Sequence, residues 1–170
     1  MRLANTVIAV SLVVFFTGCA SSVKRDSIVS APIAAIERIF DTKVTMTAEA
    51  QTKLADNIKF SIADLTSTVN RTLEANKQFD KDAAHALEVS VTSFRVRGTF
   101  SAVMFGVLAG TDSLDGNVVV KDKAGKLLRK FDVSATYALG GWGGGQDSTR
   151  LNWMYEAFAK KISEELAKNS

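Results

Sequence analysis

The sequence predicts an α+β fold, a two-layer sandwich in which two long amphipathic helices cover one face of a mainly antiparallel sheet. Three observations support this architecture. Apolar residues recur at helical spacing in two segments, 54–73 and 151–166, and much of the chain between them alternates between apolar and polar residues as half-buried strands do. The elements follow one another as strand, helix, several strands and helix. The chain is 46% hydrophobic, which is enough to build one core.

The amino terminus has the layout of a bacterial secretory signal. Arg2 is followed by a mainly apolar run at residues 7–16 and then by small residues up to Gly18. Residues 16–19, Phe-Thr-Gly-Cys, resemble the lipobox, in which the peptidase cuts before a cysteine that carries a diacylglycerol, although the lipobox usually has leucine at the position of Phe16. We therefore predict a signal peptide over residues 1–18, cleavage between Gly18 and Cys19, and lipidation of Cys19. The alternatives are an ordinary cleaved signal and an uncleaved helix, but the apolar run is about half of the roughly 20 residues that a span needs.

Lipidation predicts where the protein works. Two or more acyl chains such as palmitate hold a protein stably on a membrane. Ala20 follows the cysteine, and in lipoproteins of enteric bacteria, which this segment resembles, the absence of aspartate there favours transfer to the outer membrane. We expect a protein of the bacterial cell envelope that faces the periplasm and is held in the outer membrane by its N-terminal lipid.

The mature chain divides into a tether and one domain. Residues 19–32 are predicted to be the lipidated cysteine and a flexible tether, because Ser21–Pro32 is polar and contains the one proline of the chain. Residues 33–170 are predicted to form a single globular α+β domain. With no cysteine besides Cys19, this domain cannot form an internal disulfide.

The first half of the domain predicts a strand and a long helix. Ile33–Phe40 is a short apolar segment and the first strand. Thr45 or Thr47 can cap the helix that follows. On a helical wheel, Phe60 lies opposite the apolar stripe of this helix. The stripe consists of Leu54, Ile58, Ile62, Leu65, Val69 and Leu73.

The middle of the chain predicts the rest of the sheet. Phe79 marks a brief edge strand. Apolar and polar residues alternate over Leu87–Val91, and the apolar phase then shifts to Phe94, which predicts a bulge near Ser93. The next two strands form an antiparallel hairpin across the turn at residues 122–125. Their apolar residues are Leu114, Val118, Val120, Phe131, Val133, Ala135 and Tyr137.

A glycine-rich run at residues 140–145 precedes the last helix, which Asp147 or Ser148 can cap. Trp153 points away from the predicted core face of this helix. Gln146 and Asp147 stand where a phosphate-binding loop has lysine and Ser or Thr, so a flexible connection is the better interpretation of the glycines. The predicted core face consists of Leu151, Met154, Tyr155, Phe158, Ile162 and Leu166.

With these elements in this order, the chain resembles the small bacterial lipoproteins grouped as domain of unknown function 4410. The resemblance rests on Cys19, the long helix, the segment 83–91 with Phe94 after it, the hairpin 118–133, the glycine-rich run and the closing helix. The topology is also similar to that of the amino-terminal domain of the TolB periplasmic protein and of the curli secretion channel subunit. That similarity implies a distant relation to envelope-assembly proteins, while the family implies no activity and no catalytic residues.

The sequence predicts no catalytic residues, no metal and no cofactor. The mature chain has one histidine, His85, and its one thiol is the lipidation site, so a zinc set cannot be assembled. No dense acidic loop could hold calcium, and nothing marks a serine that would act with His85. Lysine and arginine are not clustered, so nucleic acid is not an expected partner.

Two features suggest a contact surface. Residues 99–110 carry no charge. A buried crossover or a bent strand is the simpler interpretation of this segment, and a loop touching a membrane or a partner is the alternative. Phe60, Trp142 and Trp153 are predicted to lie off the core and are candidate partner contacts, because tryptophan is enriched at protein interfaces and membrane surfaces.

The sequence therefore predicts a lipid-anchored, non-enzymatic envelope protein that binds another envelope protein or a second copy of itself. The alternative is a periplasmic small-ligand or peptide-binding lipoprotein with a groove beside residues 99–110. A subunit of an oligomeric outer-membrane assembly is a third interpretation.

Overall fold

The structure is a computed structural model that describes residues 20–25, 38–54, 59–98, 104–105, 110–138 and 146–168. The helices are α1 (Ala48–Leu54), α2 (Ile62–Ala75) and α3 (Asp147–Leu166). The strands are β1 (Ala20–Arg25), β2 (Ile39–Met46), β3 (His85–Arg95), β4 (Asp112–Asp122) and β5 (Leu127–Tyr137).

The five strands form one sheet in the order β1-β5-β4-β3-β2. β2 and β3 run parallel, while the other three neighbouring pairs run antiparallel. Helices α2 and α3 pack together over the inner face of the sheet, so the predicted α+β sandwich is confirmed. The core between these layers includes Leu65, Leu73, Leu87, Val118, Phe131, Met154, Phe158 and Ile162, all fully buried.

A glycine in the middle of β4 allows α3 to approach the sheet closely. A Cβ on Gly116 would lie 2.9 Å from Cζ of Phe158 and 3.1 Å from the Ser90 carbonyl oxygen. Phe158 is fully buried at this position. The missing side chain of Gly116 is therefore what makes room for the Phe158 ring in the core.

The single long helix predicted for the first half is two helices in the structure. α1 is capped by Thr47, whose hydroxyl oxygen accepts the Ala50 N–H at 3.2 Å. α2 has its own cap, Ser61, whose hydroxyl oxygen accepts the Asp64 N–H at 3.1 Å. Because Phe60 precedes this cap, the helical wheel drawn through it does not apply.

Phe60 accordingly lies in the core, and its prediction as an off-core partner contact is wrong. Its side chain is buried, and its ring stacks on Phe94 with centroids 4.2 Å apart. It also meets the Tyr155 ring at 5.5 Å in an edge-on arrangement. The hydroxyl of Tyr155 accepts the Ser61 N–H at 2.9 Å, which joins α3 to the start of α2.

The strand predicted at Ile33–Phe40 corresponds to β2, which begins later in the chain. β2 covers Ile39–Met46 rather than Ile33–Phe40, and residues 33–37 lie outside the described residues. β2 is an edge strand, so its outward residues Asp41, Lys43 and Thr45 remain exposed. Because its solvent-facing residues are polar, most of β2 was not recognised as a strand from its sequence.

Part of the predicted tether belongs to the sheet. All six residues of β1 are in register with β5, from Ala20 opposite Thr136 to Arg25 opposite Phe131. Val23 packs against the core, and the polar residues Ser22 and Lys24 flank it. The prediction of flexibility over 19–32 is therefore wrong for residues 20–25, because backbone pairing compensates for their low hydrophobicity.

Several sequence predictions for the rest of the chain are confirmed. The register of β3 against β4 shifts between Val91 and Ser93, where the bulge was expected. Phe79 forms a single bridge to Ile39, and the predicted hairpin joins β4 to β5. All six residues predicted for the core face of the last helix are buried.

The predicted cap of α3 is wrong. The residue at the N-cap is Gln146, whose side chain makes no capping bond, and Asp147 and Ser148 lie inside the first turn. The carboxylate of Asp147 is instead bonded to Arg150 and Lys59. Pairing with these cations takes the place of capping.

Candidate functional site

The strand register shows which residues lie at each of the two ends of the sheet. At one end, Ala20 is opposite Thr136, Asp112 is opposite Tyr137, and the long connections 96–111 and 138–146 leave the strands. We call this the loop end. At the other end β4 and β5 are joined by the tight turn after Asp122, and we call this the turn end.

A buried ion cluster lies at the loop end. Asp112 sits between two guanidinium groups: its Oδ2 accepts from Nε of Arg150 at 2.9 Å and from Nη2 of Arg97 at 3.1 Å. Its Oδ1 accepts the Arg97 backbone N–H at 2.6 Å. The three side chains are at most 1% exposed. Buried charges of this kind are tolerated only where partners and hydrogen bonds satisfy them.

The cluster extends to a second carboxylate. Nη2 of Arg150 donates to Asp147 at 2.6 Å, and Asp147 also pairs with the partly exposed Lys59. The two buried arginines are thus matched by two carboxylates. Asp112 is enclosed by cations, so this cluster ties elements together and does not present an acidic site to a metal.

Arg97 also closes the base of the connection between β3 and β4. Its Nη1 donates to the Gly110 carbonyl oxygen at 2.7 Å, and its Nη2 donates to the Tyr137 carbonyl oxygen at 3.3 Å. Gly110 adopts φ +85°, and a Cβ there would lie 2.8 Å from Nη1 of Arg95. The Arg97 side chain therefore links the two ends of this connection.

Met104 and Phe105 lie midway along this connection and are exposed by 63% and 56%. The expectation of a buried crossover at residues 99–110 is wrong for these two residues, while 99–103 and 106–109 lie outside the described residues. Among the described residues, the other exposed large apolar side chain is Leu127, at the turn end.

Trp153 lies at the margin of the core. Its ring meets the Tyr137 ring edge-on at 5.3 Å, and the side chain is partly buried. It lines an open groove of about 300 Å³ between β1 and α3, whose other lining residues are Ser21, Glu156, Ala157, Lys160 and Lys161. The predicted contact residue Trp142 lies outside the described residues.

The outer face of the sheet is polar and carries two shallow grooves of about 220 and 270 Å³. Asn117 lines both and donates a hydrogen bond to Asp132. Lys121 and Glu88 pair across neighbouring strands at 2.6 Å. Neither these two grooves nor the one beside Trp153 has Met104 or Phe105 among its described lining residues.

His85 lies at the turn end, away from the ion cluster. Its Nδ1 is 3.4 Å from the Arg38 carbonyl oxygen. Nearby, the Asp82 backbone N–H and the Arg38 guanidinium lower the pKa of Asp80 from its ordinary value. Within the described ranges, histidine, cysteine and acidic side chains form no group of three that could hold a metal ion.

The model of one protein family, described as a domain of unknown function (DUF4410), matches residues 19–141. The chain belongs to this family. The match begins at the predicted lipidation residue and ends inside the glycine-rich run, so this DUF4410 domain includes β1 and the whole sheet. Among curated proteins, no sequence matches the chain.

Three solved structures resemble the chain at low sequence identity. A dodecamer of a PelC variant from Paraburkholderia phytofirmans is 14% identical, with a TM-score of 0.50 over 89% of this chain and 100% of that one. A second PelC dodecamer from the same organism is 15% identical, with a TM-score of 0.49 over 88% and 100%. A minor lipoprotein from Acinetobacter baumannii is 13% identical, with a TM-score of 0.41 over 75% and 92%.

None of the described helices of this DUF4410 protein is long and apolar enough to cross a bilayer.

The ion cluster escaped the sequence analysis, although two signals for it exist. Asp112 is two residues before the buried Leu114, so the alternation of β4 continues inward through it. Arg150 is four residues before Met154 on the buried stripe of α3. A carboxylate and a guanidinium that both fall on predicted core positions indicate a buried pair.

Proposed function

We propose that this DUF4410 protein is a lipid-anchored, non-enzymatic protein of the bacterial cell envelope that binds another envelope protein or a second copy of itself. The observation that carries the proposal is the position of β1. Cys19 is covalently joined to Ala20, the first residue of an edge strand paired along its length with β5. A lipid on Cys19 would therefore hold the folded body itself on the membrane.

Two similarities favour this function. Family membership begins at residue 19, where the mature lipoprotein would start. The PelC structure with the same fold is a dodecamer, which makes association between copies of this chain a reasonable expectation. We place the protein in the outer membrane, facing the periplasm, on the strength of Ala20 after the lipidated cysteine.

The groove between β1 and α3 is the contact surface we favour. Trp153 lines it with a partly buried ring, and the charged residues Glu156, Lys160 and Lys161 line it as well. An apolar centre with a polar rim is the usual anatomy of a protein interface. Trp153 thus remains a proposed partner contact, now as part of a groove rather than as an isolated exposed ring.

The lipid anchor is tested by the mass of the N-terminal peptide of the membrane-extracted protein. We expect a peptide that begins at Cys19 and carries a diacylglycerol thioether and further acyl chains. Cys19→Ser should release the protein from the membrane fraction. An unmodified Cys19 peptide would contradict the anchor.

The association is tested by native mass spectrometry of the detergent-extracted protein. We expect a complex heavier than one chain, which Lys160→Glu at the rim of the groove should weaken by about tenfold in Kd. Lys126→Glu makes the same charge change at the turn end and should leave the complex intact. A single chain without any partner in the wild-type extract would contradict the proposal.

The grooves on the outer face favour a second candidate, a carrier of a polar ligand such as a peptide. They adjoin at Asn117, and their lining mixes lysine, aspartate, serine and threonine. A ligand bound there would contact the outward residues of β4 and β5 and shield them from solvent. Chemical shifts of Asn117 and Asp132 that stay unchanged in a periplasmic extract would count against this candidate.

A further inference from the structure

The lipid attachment point lies at the end of the domain from which the connection carrying the exposed apolar residues leaves the sheet. Ala20 is opposite Thr136, and Thr136 is opposite Ser113, next to the first residue of β4. Since neighbouring strands are spaced by about 4.8 Å, Ala20 lies roughly 10 Å from the start of β4. The connection that carries Met104 and Phe105 ends at that start.

The base of the connection is fixed. Arg97 binds the Gly110 carbonyl oxygen and the Asp112 carboxylate, so one side chain joins the two ends of the connection. Met104 and Phe105 lie halfway along it and are more than half exposed. Residues 99–110 carry no charged side chain. A charge-free segment with methionine and phenylalanine at its midpoint suits the boundary between headgroups and acyl chains.

We propose that the loop end faces the bilayer and that Met104 and Phe105 contact the lipid into which the Cys19 acyl chains insert. This inference rests on the proposed lipid anchor. The bilayer is favoured as the occupant because the anchor leaves no spacer: β1 begins at the residue after Cys19, so the loop end cannot move far from the membrane surface. Arg95, exposed beside Gly110, places a cation where anionic headgroups would lie.

Leu127 provides the contrast. It is also exposed, but it lies at the turn end, where it is opposite Lys121. β4 has 11 residues, so at about 3.3 Å per residue the two ends are separated by roughly 35 Å. A domain that stands on its loop end would keep Leu127 in water.

The test places a polarity-sensitive fluorophore at each end. In the mature protein the one native thiol is consumed by lipid, so Phe105→Cys and Leu127→Cys each provide a single labelling site. Both lipidated proteins are labelled with nitrobenzoxadiazole and reconstituted in phosphatidylethanolamine–phosphatidylglycerol vesicles with and without doxyl-labelled lipid. We expect a blue-shifted emission at position 105 that the doxyl lipid quenches about twofold, and water-like, unquenched emission at position 127. Met104→Cys supplies a second position on the same connection should Phe105→Cys fold poorly.

The outcomes separate this inference from the proposed function. Lipid on Cys19 with a water-like label at position 105 would overturn the membrane contact and leave the anchor intact. An unlipidated Cys19 would overturn the proposed function. A label at position 105 that is blue-shifted but insensitive to doxyl lipid would mean a protein contact, and it too would overturn the inference.

Discussion

The two ends of the sheet are held by different chemistry. At the loop end, two fully buried arginines and Asp112 join β3, β4 and α3. At the turn end, local backbone bonds close the hairpin, and the Asp122 carboxylate accepts the N–H groups of Ala124 and Lys126, each at 2.9 Å. The C-terminal end of α3 is held there by the buried Arg129, which donates to the carbonyl oxygens of Glu165 at 2.7 Å and Lys168 at 3.1 Å. Gln78 and Ser163 also exchange hydrogen bonds of 2.6 and 3.0 Å at this end.

The difference reflects what each end must hold. A tight turn is specified by its own residues, so it needs little support from distant parts of the chain. The two long connections at the loop end have no such local chemistry, and their bases are fixed by ion pairs between residues far apart in sequence. The connection between β3 and β4 can therefore carry the exposed Met104 and Phe105 while its ends stay fixed to the sheet.

Asp112→Asn is the substitution for which we expect the largest loss of stability at the loop end. It leaves Arg97 and Arg150 buried with their principal carboxylate removed, and the loss of one partner in a buried pair costs about 3–5 kcal/mol. We expect a fall of that size in the free energy of unfolding, measured by urea titration. The matched control is Asp132→Asn on the exposed outer face, which should change stability by less than about 0.5 kcal/mol. Equal effects from the two variants would mean that the cluster does not hold the loop end.

The second prediction is a pH dependence of the free energy of unfolding that comes from Tyr155, beside the start of α2. Burial raises the pKa of Tyr155 to about 12 from an ordinary value of 10.0, so the folded state favours the neutral phenol. The stability that this provides is fully present below about pH 10 and is lost as the pH rises from about 10 to about 12. Within that interval each pH unit should cost up to about 1.4 kcal/mol.

Tyr155→Phe isolates this effect, because it keeps the ring packing on Phe60 and removes the titrating hydroxyl. Urea midpoints measured at about pH 9 and about pH 11 should fall more steeply in the wild type than in the variant. All other ionisable groups are common to both proteins, so their contributions cancel in the difference. Parallel pH profiles would show that Tyr155 ionises as easily in the folded state as in the unfolded one.

The smallest expected effects on stability come from alanine substitutions at two glycines, one at each end of the sheet. Gly125 in the hairpin turn has φ +82°, so Gly125→Ala should cost about 1 kcal/mol in strain. Gly98, at the base of the long connection, has no positive φ and no atom within 4 Å of the place a Cβ would take. Gly98→Ala should change the thermal midpoint little. A larger loss at Gly98 than at Gly125 would reverse the assignment of local control to the turn end.

The sequence predicted the parts of the fold that follow regular periodicity. The core face of α3, the hairpin and the bulge near Ser93 each leave a pattern in adjacent residues. The predictions failed where pairing or a break in the helix decides the structure. The polar β1 is a strand because it pairs with β5. Phe60 is buried because a separate helix, α2, begins after the cap Ser61.

The candidate site was less predictable than the fold. The apolar character of residues 99–110 was visible, but exposure of Met104 and Phe105 depends on where the connection leaves the sheet. The ion cluster joins residues 97, 112 and 150, and no local pattern reports contacts across such distances in the sequence. The strand register alone shows that the lipid attachment point lies at the end where the connection carrying the exposed pair leaves the sheet.

The most direct test of the account is hydrogen–deuterium exchange of the lipidated protein, in detergent-free vesicles and as the soluble Cys19→Ser form. If the loop end faces the membrane, exchange around Met104 and Phe105 should slow on the vesicle while exchange at the turn between Asp122 and Leu127 stays the same. Slower exchange at the turn, with no change around Met104 and Phe105, would contradict it.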